Sequence, residues 1–228
     1  MTEISTGKMT MKEKIILTAF TDPMMGLSYE SEPVMERLKK NYGDQIEFRY
    51  VMSLLVRNVS DFMTQEERIM DVESGIRKYC ERLAGIYKSE ESIGGLPINM
   101  EGFCLFDTDH CSSKPLNLAY KTAQLADPER SEAFLTELRH ATVIDCLPTT
   151  HFDVIMKIAQ KVGIDEYSFK QYYQNGNAEK ALETDLEYTH RLGIHSLPAY
   201  LIQSGDKAII MQSFEYQDFV DVITKLTH

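Results

Sequence analysis

Residues 14–29 read KIILTAFTDPMMGLSY, and this stretch decides the fold. Its first half, residues 15–20, is a near-continuous apolar run, which is typical of a central strand buried on both faces of a sheet. The dipeptide Asp22-Pro23 ends that run. The residues that follow the dipeptide therefore lie in the connection that leaves the end of a buried strand.

Beyond this connection the chain continues as a helix and a second strand. Residues 28–42 have helical periodicity and are followed by Gly43, and Pro33 is expected to kink the helix. Residues 45–52 alternate apolar and polar side chains, as a half-buried strand does. The first fifty residues therefore predict a β-α-β unit with parallel strands and a right-handed crossover.

The rest of the chain divides into a long helical block and a strand-rich end. Two strands are predicted at 199–203 and 207–212, joined by a hairpin loop, and a last amphipathic helix at 216–227. Helices are predicted at residues 64–90, 113–126, 129–141, 150–162, 165–173 and 178–192. This order predicts an α/β core made of residues 14–55 and 193–228, with an α-helical insertion at residues 56–192.

Two details of helix capping accompany this prediction. Thr64 and Glu67 have the spacing of a capping box, and Ser113 is expected to cap the helix that has Pro115 in its first turn. The polar residues 1–12 are expected to be disordered.

The segment after the first strand resembles the active-site motif of the DsbA-like thioredoxin superfamily. In that family Asp-Pro-hydrophobic precedes Cys-x-x-Cys and an aromatic residue follows it. Here Met25 and Ser28 occupy the two cysteine positions, so the motif is degenerate. Tyr29 is the aromatic residue, and Pro33 lies at the offset of the proline that kinks the active-site helix in thioredoxins.

A second match lies just before the predicted hairpin. Residues 193–200, GIHSLPAY, are similar to the family segment Gly-Val-x-x-Val-Pro-x-Phe, which contains a cis-proline beside the motif. The resemblance implies a cis bond at Leu197–Pro198 and backbone groups that bind an extended substrate. A third match, at residues 112–115, resembles the Ser-x-Pro stretch that opens a helix in the insertion of DsbA-like proteins.

The resemblance implies a thioredoxin-like fold with a large α-helical insertion, and it also implies a site. The two motif positions, Met25 and Ser28, correspond to the catalytic cysteines of the family. The residues that the resemblance assigns to binding are Gly26, Leu27, Tyr29, His195, Leu197 and Pro198.

The loss of both motif cysteines removes the chemistry of the family from this site. Disulfide exchange needs a thiolate, and a thioether cannot ionise or form a mixed disulfide. One interpretation is a cytoplasmic protein of the thiol-disulfide oxidoreductase and isomerase lineage that binds a protein or peptide segment. It would resemble the DsbA-like branch that delivers a transcription regulator to the Clp protease. Whether the chain is also an enzyme stays open at this point.

Two alternatives remain. Ser28-Tyr29 matches half of the motif of the glutathione-dependent branch, the kappa-class transferases and 2-hydroxychromene-2-carboxylate isomerases, whereas Met25 departs from it. Glutathione is the one cofactor that this alternative implies. The other alternative is an oxidoreductase that uses Cys111, which lies next to His110.

Charge and composition limit the classes of partner and the location that can be expected. The formal net charge is −11, and an acidic surface repels phosphate backbones and anionic lipid, so neither nucleic acid nor a membrane is expected as a partner. No apolar run has the length of a signal-peptide core or a membrane span, which predicts a cytoplasmic location. The four cysteines form no CxxC pair, and their spacing predicts no metal site.

Overall fold

The computed structural model describes residues 14–228, so the expected disorder at residues 1–12 lies outside the described residues. Within this part of the chain, four strands form a single sheet in the order β2-β1-β3-β4. The strands are β1 (Ile15–Thr21), β2 (Ile46–Met52), β3 (Ala199–Ser204) and β4 (Lys207–Met211). Strand β1 is parallel to β2 and antiparallel to β3, which in turn is antiparallel to β4. The predicted α/β class and the parallel β-α-β unit are confirmed.

Strand β1 owes its central place to its apolar sequence. Six of its seven residues are buried, because helices cover both faces of the sheet there. Ile15 pairs with Ile46 on one side and with Ser204 on the other, so β1 is shared by the β-α-β unit and the later hairpin. Because β1 is held on both sides, the connection that leaves its end starts from a fixed point.

Ten α-helices and two short 3₁₀ helices, Gly43–Gln45 and Val59–Asp61, are described in residues 14–228. Only the α-helices are numbered. They are α1 (Gly26–Glu30), α2 (Glu32–Tyr42), α3 (Gln65–Arg68), α4 (Val72–Gly94), α5 (Lys114–Ala126), α6 (Ser131–Val143), α7 (Phe152–Lys161), α8 (Glu166–Gln174), α9 (Asn177–Arg191) and α10 (Tyr216–Thr227). Helices α1 and α2 connect β1 to β2, helices α3 to α9 lie between β2 and β3, and α10 follows β4. Among residues 14–228, no helix combines the length and the apolar character that crossing a membrane requires.

Two predicted helices are each divided in the structure. The helix predicted at 28–42 starts earlier, as α1, and is interrupted at Ser31, so that Pro33 lies in the first turn of α2. Pro33 lacks an N–H, and the first turn is where that group has no partner inside a helix. The helix predicted at 64–90 is interrupted between α3 and α4, where Asp71 caps α4 by accepting a hydrogen bond from the backbone N–H of Ser74.

The described residues form two large hydrophobic cores and a smaller third one made of Phe20, Val51, Ala199 and Leu201. One core joins the sheet to α2 and α10, with Leu17, Ile202 and Phe219 at its centre. The larger core lies among α4 to α9 and includes Met24 and Tyr29 of the motif segment. The motif segment therefore belongs to the packing of the helical block as well as to the end of β1.

Candidate functional site

Asp22 fixes the connection that leaves β1. Its Oδ1 accepts a hydrogen bond from the backbone N–H of Met24 at 3.1 Å. Its Oδ2 accepts three more, from the backbone N–H of Leu55 at 2.8 Å, the hydroxyl of Ser113 at 2.6 Å and the side-chain amide of Asn117 at 2.8 Å. Burial raises the pKa of Asp22, and the hydrogen bonds from Ser113 and Asn117 oppose that rise. The carboxyl group thus connects the motif segment to the residues after β2 and to α5.

This arrangement changes the expected role of Ser113. The residue does precede α5, as predicted, but its side chain makes no capping hydrogen bond within the described part of the chain. Its hydroxyl is turned instead toward Asp22 and the backbone of Val56. As an acceptor, the hydroxyl takes the backbone N–H of Val56 at 3.2 Å instead of an N–H of the helix terminus.

The two motif positions lie next to each other. Met25 is the N-cap residue of α1 with extended backbone, and Ser28 lies one turn on, its hydroxyl 3.9 Å from the sulfur of Met25. The hydroxyl of Ser28 also shares a 2.7 Å hydrogen bond with that of Thr21. Both side chains are buried. The geometry of a neighbouring pair is present, whereas the chemistry is that of a thioether and a hydroxyl.

The neighbours of the motif positions are placed by contacts with the helical block. Tyr29 is buried and donates a hydrogen bond from its hydroxyl to the backbone carbonyl of Pro97 at 3.1 Å. Burial, together with nearby carboxylates, raises the pKa of Tyr29 to about 12. Tyr87, from α4, donates to the backbone carbonyl of Met24 at 2.5 Å. These two hydroxyl groups hold α1 against α4 and the loop that follows it.

Glu90, on α4, brings a carboxyl group to the start of α1. A Cβ atom built on Gly26 would lie 2.1 Å from Oε2 of Glu90, so only glycine allows this approach. Burial, and then the charge of Glu30, raise the pKa of Glu90 to about 7, while the backbone N–H of Leu27 opposes the rise. Among the described residues, Oε2 of Glu90 has no hydrogen-bond partner. A carboxyl group that titrates near neutral pH therefore lies beside the motif.

The Leu197–Pro198 peptide bond, for which the sequence predicts a cis conformation, is cis. Pro198 is buried directly before β3, and Leu197 is half-buried beside the motif segment. His195 is exposed and lines a different depression, together with Ile210 of β4 and Gln212. The structure therefore brings Leu197 beside the motif, whereas His195 lines a separate depression.

A cavity of about 240 Å³ lies between the motif, Leu197 and α4, and we call it the motif groove. It is lined by Met24, Met25, Gly26, Leu27, Leu55, Val56, Phe62, Tyr79, Arg82, Leu83, Ile86, Tyr87, Glu90 and Leu197. Two apolar side chains at its rim, Phe62 and Ile86, are 45% and 43% exposed. Of the residues assigned to the site from the sequence, those that line the groove are Met25, Gly26, Leu27 and Leu197, and those that do not are Ser28, Tyr29, His195 and Pro198. The wall from α4 was missed. The one signal for that wall was the apolar periodicity of the predicted helix.

The cysteines lie outside the motif groove. Cys111 donates from its thiol to the backbone carbonyl of Asp107 at 3.0 Å, and burial together with the charges of Asp107 and Asp109 raises its pKa. This is the opposite of the low pKa that the alternative based on Cys111 requires, since neighbouring carboxylates disfavour a thiolate. Cys104, which shares the carbonyl of Phe106 with Cys80, has its pKa lowered to about 7, chiefly by the thiol of Cys80.

Comparison with known protein families gives one match that covers most of the chain. The family model described as "Thioredoxin" matches residues 19–219. Among curated proteins, the ClpXP adapter protein SpxH of Halalkalibacterium halodurans is 23% identical over 85% of this chain and 60% of its own length. The chain thus spans about three fifths of the length of that relative.

Solved structures agree on the fold. A putative protein disulfide isomerase from Nitrosomonas europaea superimposes with a TM-score of 0.74 at 18% identity, over 93% of this chain and 98% of that one. The cytosolic disulfide reductase DsbM from Pseudomonas aeruginosa with GSH superimposes with a TM-score of 0.67 at 14% identity, over 92% of this chain and 100% of that one. At these identities the two structures support the fold alone.

Proposed function

Because this chain belongs to the thioredoxin family and has the DsbA-like arrangement of that fold, we propose that it binds an extended protein or peptide segment in the motif groove and serves as an adaptor. The observation that carries this proposal is the pairing of that groove with Met25 and Ser28 at the two motif positions. Such an adaptor keeps the surface with which the family binds its substrates but does not carry out the redox reaction of the family.

The side chains at the motif support binding without exchange. A thioether has no proton to lose, so Met25 cannot supply the thiolate that attacks a disulfide. The hydroxyl of Ser28 is buried and hydrogen-bonded to Thr21, with no strong base among its hydrogen-bond partners. A segment that enters the motif groove therefore meets apolar and polar surface and no nucleophile.

The walls of the motif groove suit an extended segment. The rim residues Phe62 and Ile86 offer exposed apolar surface, and burying such surface is the main source of affinity. Within residues 14–228, no backbone hydrogen bond engages the N–H or the carbonyl of Leu197. These two groups can pair with the backbone of a bound strand, as in other cases of strand addition.

The names of relatives support the adaptor role and its location. The curated relative is named as an adapter for ClpXP, which is a protein-binding role, and one structural neighbour is named as cytosolic. We extend to this chain the general role, binding one protein on behalf of another, and a cytoplasmic location.

The experiment compares two matched variants on helix α4. Ile86→Glu places a charge at the rim of the motif groove, whereas Ile93→Glu places it at a site of similar exposure, 45% against 43%, outside the groove. Peptides selected from a random library on the wild-type chain are titrated by fluorescence anisotropy. Ile86→Glu is expected to weaken binding at least tenfold, because a charged group is buried on binding, and Ile93→Glu is expected to leave it unchanged. Equal affinity in both variants, or no selected peptide, rejects the proposal.

Glutathione is the alternative occupant of the motif groove. It is favoured by the similarity to a disulfide reductase solved with GSH and by the Ser28-Tyr29 pair. The carboxyl group of Glu90 at Gly26 argues against it, since a glutathione thiolate there would meet a second negative charge when Glu90 is ionised. The test is the melting temperature of the wild type and of Ile86→Glu with 5–10 mM glutathione, about the range of a millimolar ligand. A rise in the wild type that is absent in Ile86→Glu would favour glutathione over a peptide.

A further inference from the structure

One cluster of metal-ligating side chains lies outside the motif groove. Asp107 and His110 belong to the loop between α4 and α5, and His151 stands directly before α7. Their ligand atoms all lie within 4.8 Å of one another. The three side chains come from segments that are about forty residues apart, so the fold itself assembles the cluster.

The carboxyl group of Asp107 is held in a fixed orientation. Its Oδ1 accepts hydrogen bonds from the backbone N–H groups of Asp109 and His110, both at 2.8 Å. Its Oδ2 faces the two imidazoles, 3.1 Å from Nδ1 of His110 and 2.7 Å from Nε2 of His151. Oδ1 also lies 2.9 Å from Nδ1 of His110, so that ring nitrogen faces both carboxylate oxygens, whereas Nε2 of His151 faces Oδ2.

The two histidines are aligned as well. Their rings stack with centroids 3.9 Å apart and an angle of 25° between their planes. Nδ1 of His110 and Nε2 of His151 are both directed at the same carboxyl group. When these two ring nitrogens lose their protons, a single cation can bind between the two imidazoles and the carboxylate.

We propose that Asp107, His110 and His151 form a binding site for Zn²⁺. Two imidazole nitrogens and one carboxylate oxygen are a ligand set that suits zinc, with a fourth position left for water. Bonds of about 2.0–2.1 Å in a tetrahedron separate neighbouring ligand atoms by about 3.3 Å. Oδ2 of Asp107 lies 3.1 and 2.7 Å from the two ring nitrogens, and all three ligand atoms lie within 4.8 Å of one another. Mg²⁺ and Ca²⁺ prefer sites made of oxygen atoms alone.

The position of the cluster assigns the metal a structural effect. Side-chain exposures of 42% for Asp107 and 32% for each histidine let an ion enter from solvent. The bound ion would join the α4–α5 loop to the start of α7. The same loop leads to Ser113, which binds Asp22 beneath the motif, so zinc would stabilise the support of the motif groove.

The test uses the untagged full chain after treatment with a chelator. Calorimetric titration with ZnCl₂ is expected to show one ion per chain, with release of protons to the buffer because the ring nitrogens must be deprotonated. At a hundredfold excess over the dissociation constant, Zn²⁺ is expected to raise the melting temperature by roughly 5 °C or more, and MgCl₂ is expected to leave it unchanged.

Variants distinguish this site from other zinc ligands in the chain. His110→Gln and His151→Gln are each expected to weaken zinc binding at least tenfold, whereas His190→Gln, an exposed residue of α9, and Cys111→Ser are expected to bind as the wild type does. Circular dichroism confirms that each variant is folded. The proposal is overturned if the wild type binds no zinc at 100 µM, a concentration of about the order at which specific sites are filled. It is also overturned if both histidine variants keep wild-type affinity.

Discussion

At the scale of single residues, the motif holds a thioether and a hydroxyl 3.9 Å apart at the two positions that resemble the cysteines of the Cys-x-x-Cys motif. We predict that the double variant Met25→Cys, Ser28→Cys gains dithiol reductase activity, because the backbone at both positions already brings the side chains together. The measurement is turbidity from insulin reduction in dithiothreitol. Each single variant serves as a control and should stay at the wild-type rate, and a folded double variant without activity would show that the positions are misaligned.

Glu90, which lines the motif groove, makes the stability of the chain depend on pH. Its folded pKa of about 7 lies above the ordinary 4.5, so stability that is present below pH 4.5 is lost as the pH rises through 7. We predict that Glu90→Gln removes this loss. After allowance for solvent screening, the variant should gain about 1 to 2 kcal/mol over the wild type at pH 8 and little at pH 5. Urea denaturation at both pH values measures the difference, and a gain that is equal at both would contradict the assignment.

At the scale of elements, two glycines of α4 have opposite surroundings. A Cβ atom at Gly75 would lie 2.3 Å from the backbone carbonyl oxygen of Glu67, whereas one at Gly85 would meet nothing within 4 Å. We predict that Gly75→Ala destabilises the chain by about 1 to 3 kcal/mol and that Gly85→Ala stabilises it by about 0.5 to 1 kcal/mol. Chemical denaturation followed by circular dichroism tests both, and two changes of the same sign would refute the prediction.

The helix ends show which features can be predicted from the local sequence and which cannot. The capping box at Thr64 and Glu67 is present as predicted, with hydrogen bonds of 3.2 and 2.7 Å, because both partners lie within one turn. The end of the helix that it opens, between α3 and α4, was missed, since α3 packs against α4 through Gly75 and that contact is tertiary. The hydroxyl of Ser113 was assigned to the wrong partner for the same reason, since Asp22 is 91 residues away.

At the scale of the whole molecule, Asp22 is one of the points where the sheet and the helical block are joined, together with the hydrogen bonds from the Met52 N–H to Asp185 and from Arg139 to Thr21. Its Oδ2 accepts hydrogen bonds from Leu55, Ser113 and Asn117. We predict that Asp22→Asn costs about 2 to 4 kcal/mol, because an amide nitrogen in place of an oxygen would face donors with no acceptor. Asp206→Asn, in the exposed turn between β3 and β4, is the control and should stay within about 0.5 kcal/mol.

A melting profile of Asp22→Asn also tests how the two large hydrophobic cores are connected. Two separate transitions are the expected sign that they have been uncoupled. A single transition at the wild-type temperature would mean that Asp22 does not join them.

The sequence predicted the fold at this scale more fully than the site. The order of strands and helices could be predicted because the apolar pattern within each strand indicates that strand. The motif then identified the family whose fold has this order. The wall of the motif groove could not, since Phe62, Ile86 and Glu90 reach the motif only through the packing of the helical block. The division of the chain at residues 55–56 and 192–193 stays a prediction.

The pairing of β1 with β3 has a consequence for how the chain is made. Phe20 pairs with Ala199, so the two partners are 179 positions apart along the chain. On a ribosome that adds about 5–20 residues per second, β1 waits roughly 9 to 36 s for the strand that covers its second edge. During that interval the nascent chain exposes a bare, apolar strand edge, the kind of surface that chaperones protect and that aggregates in their absence.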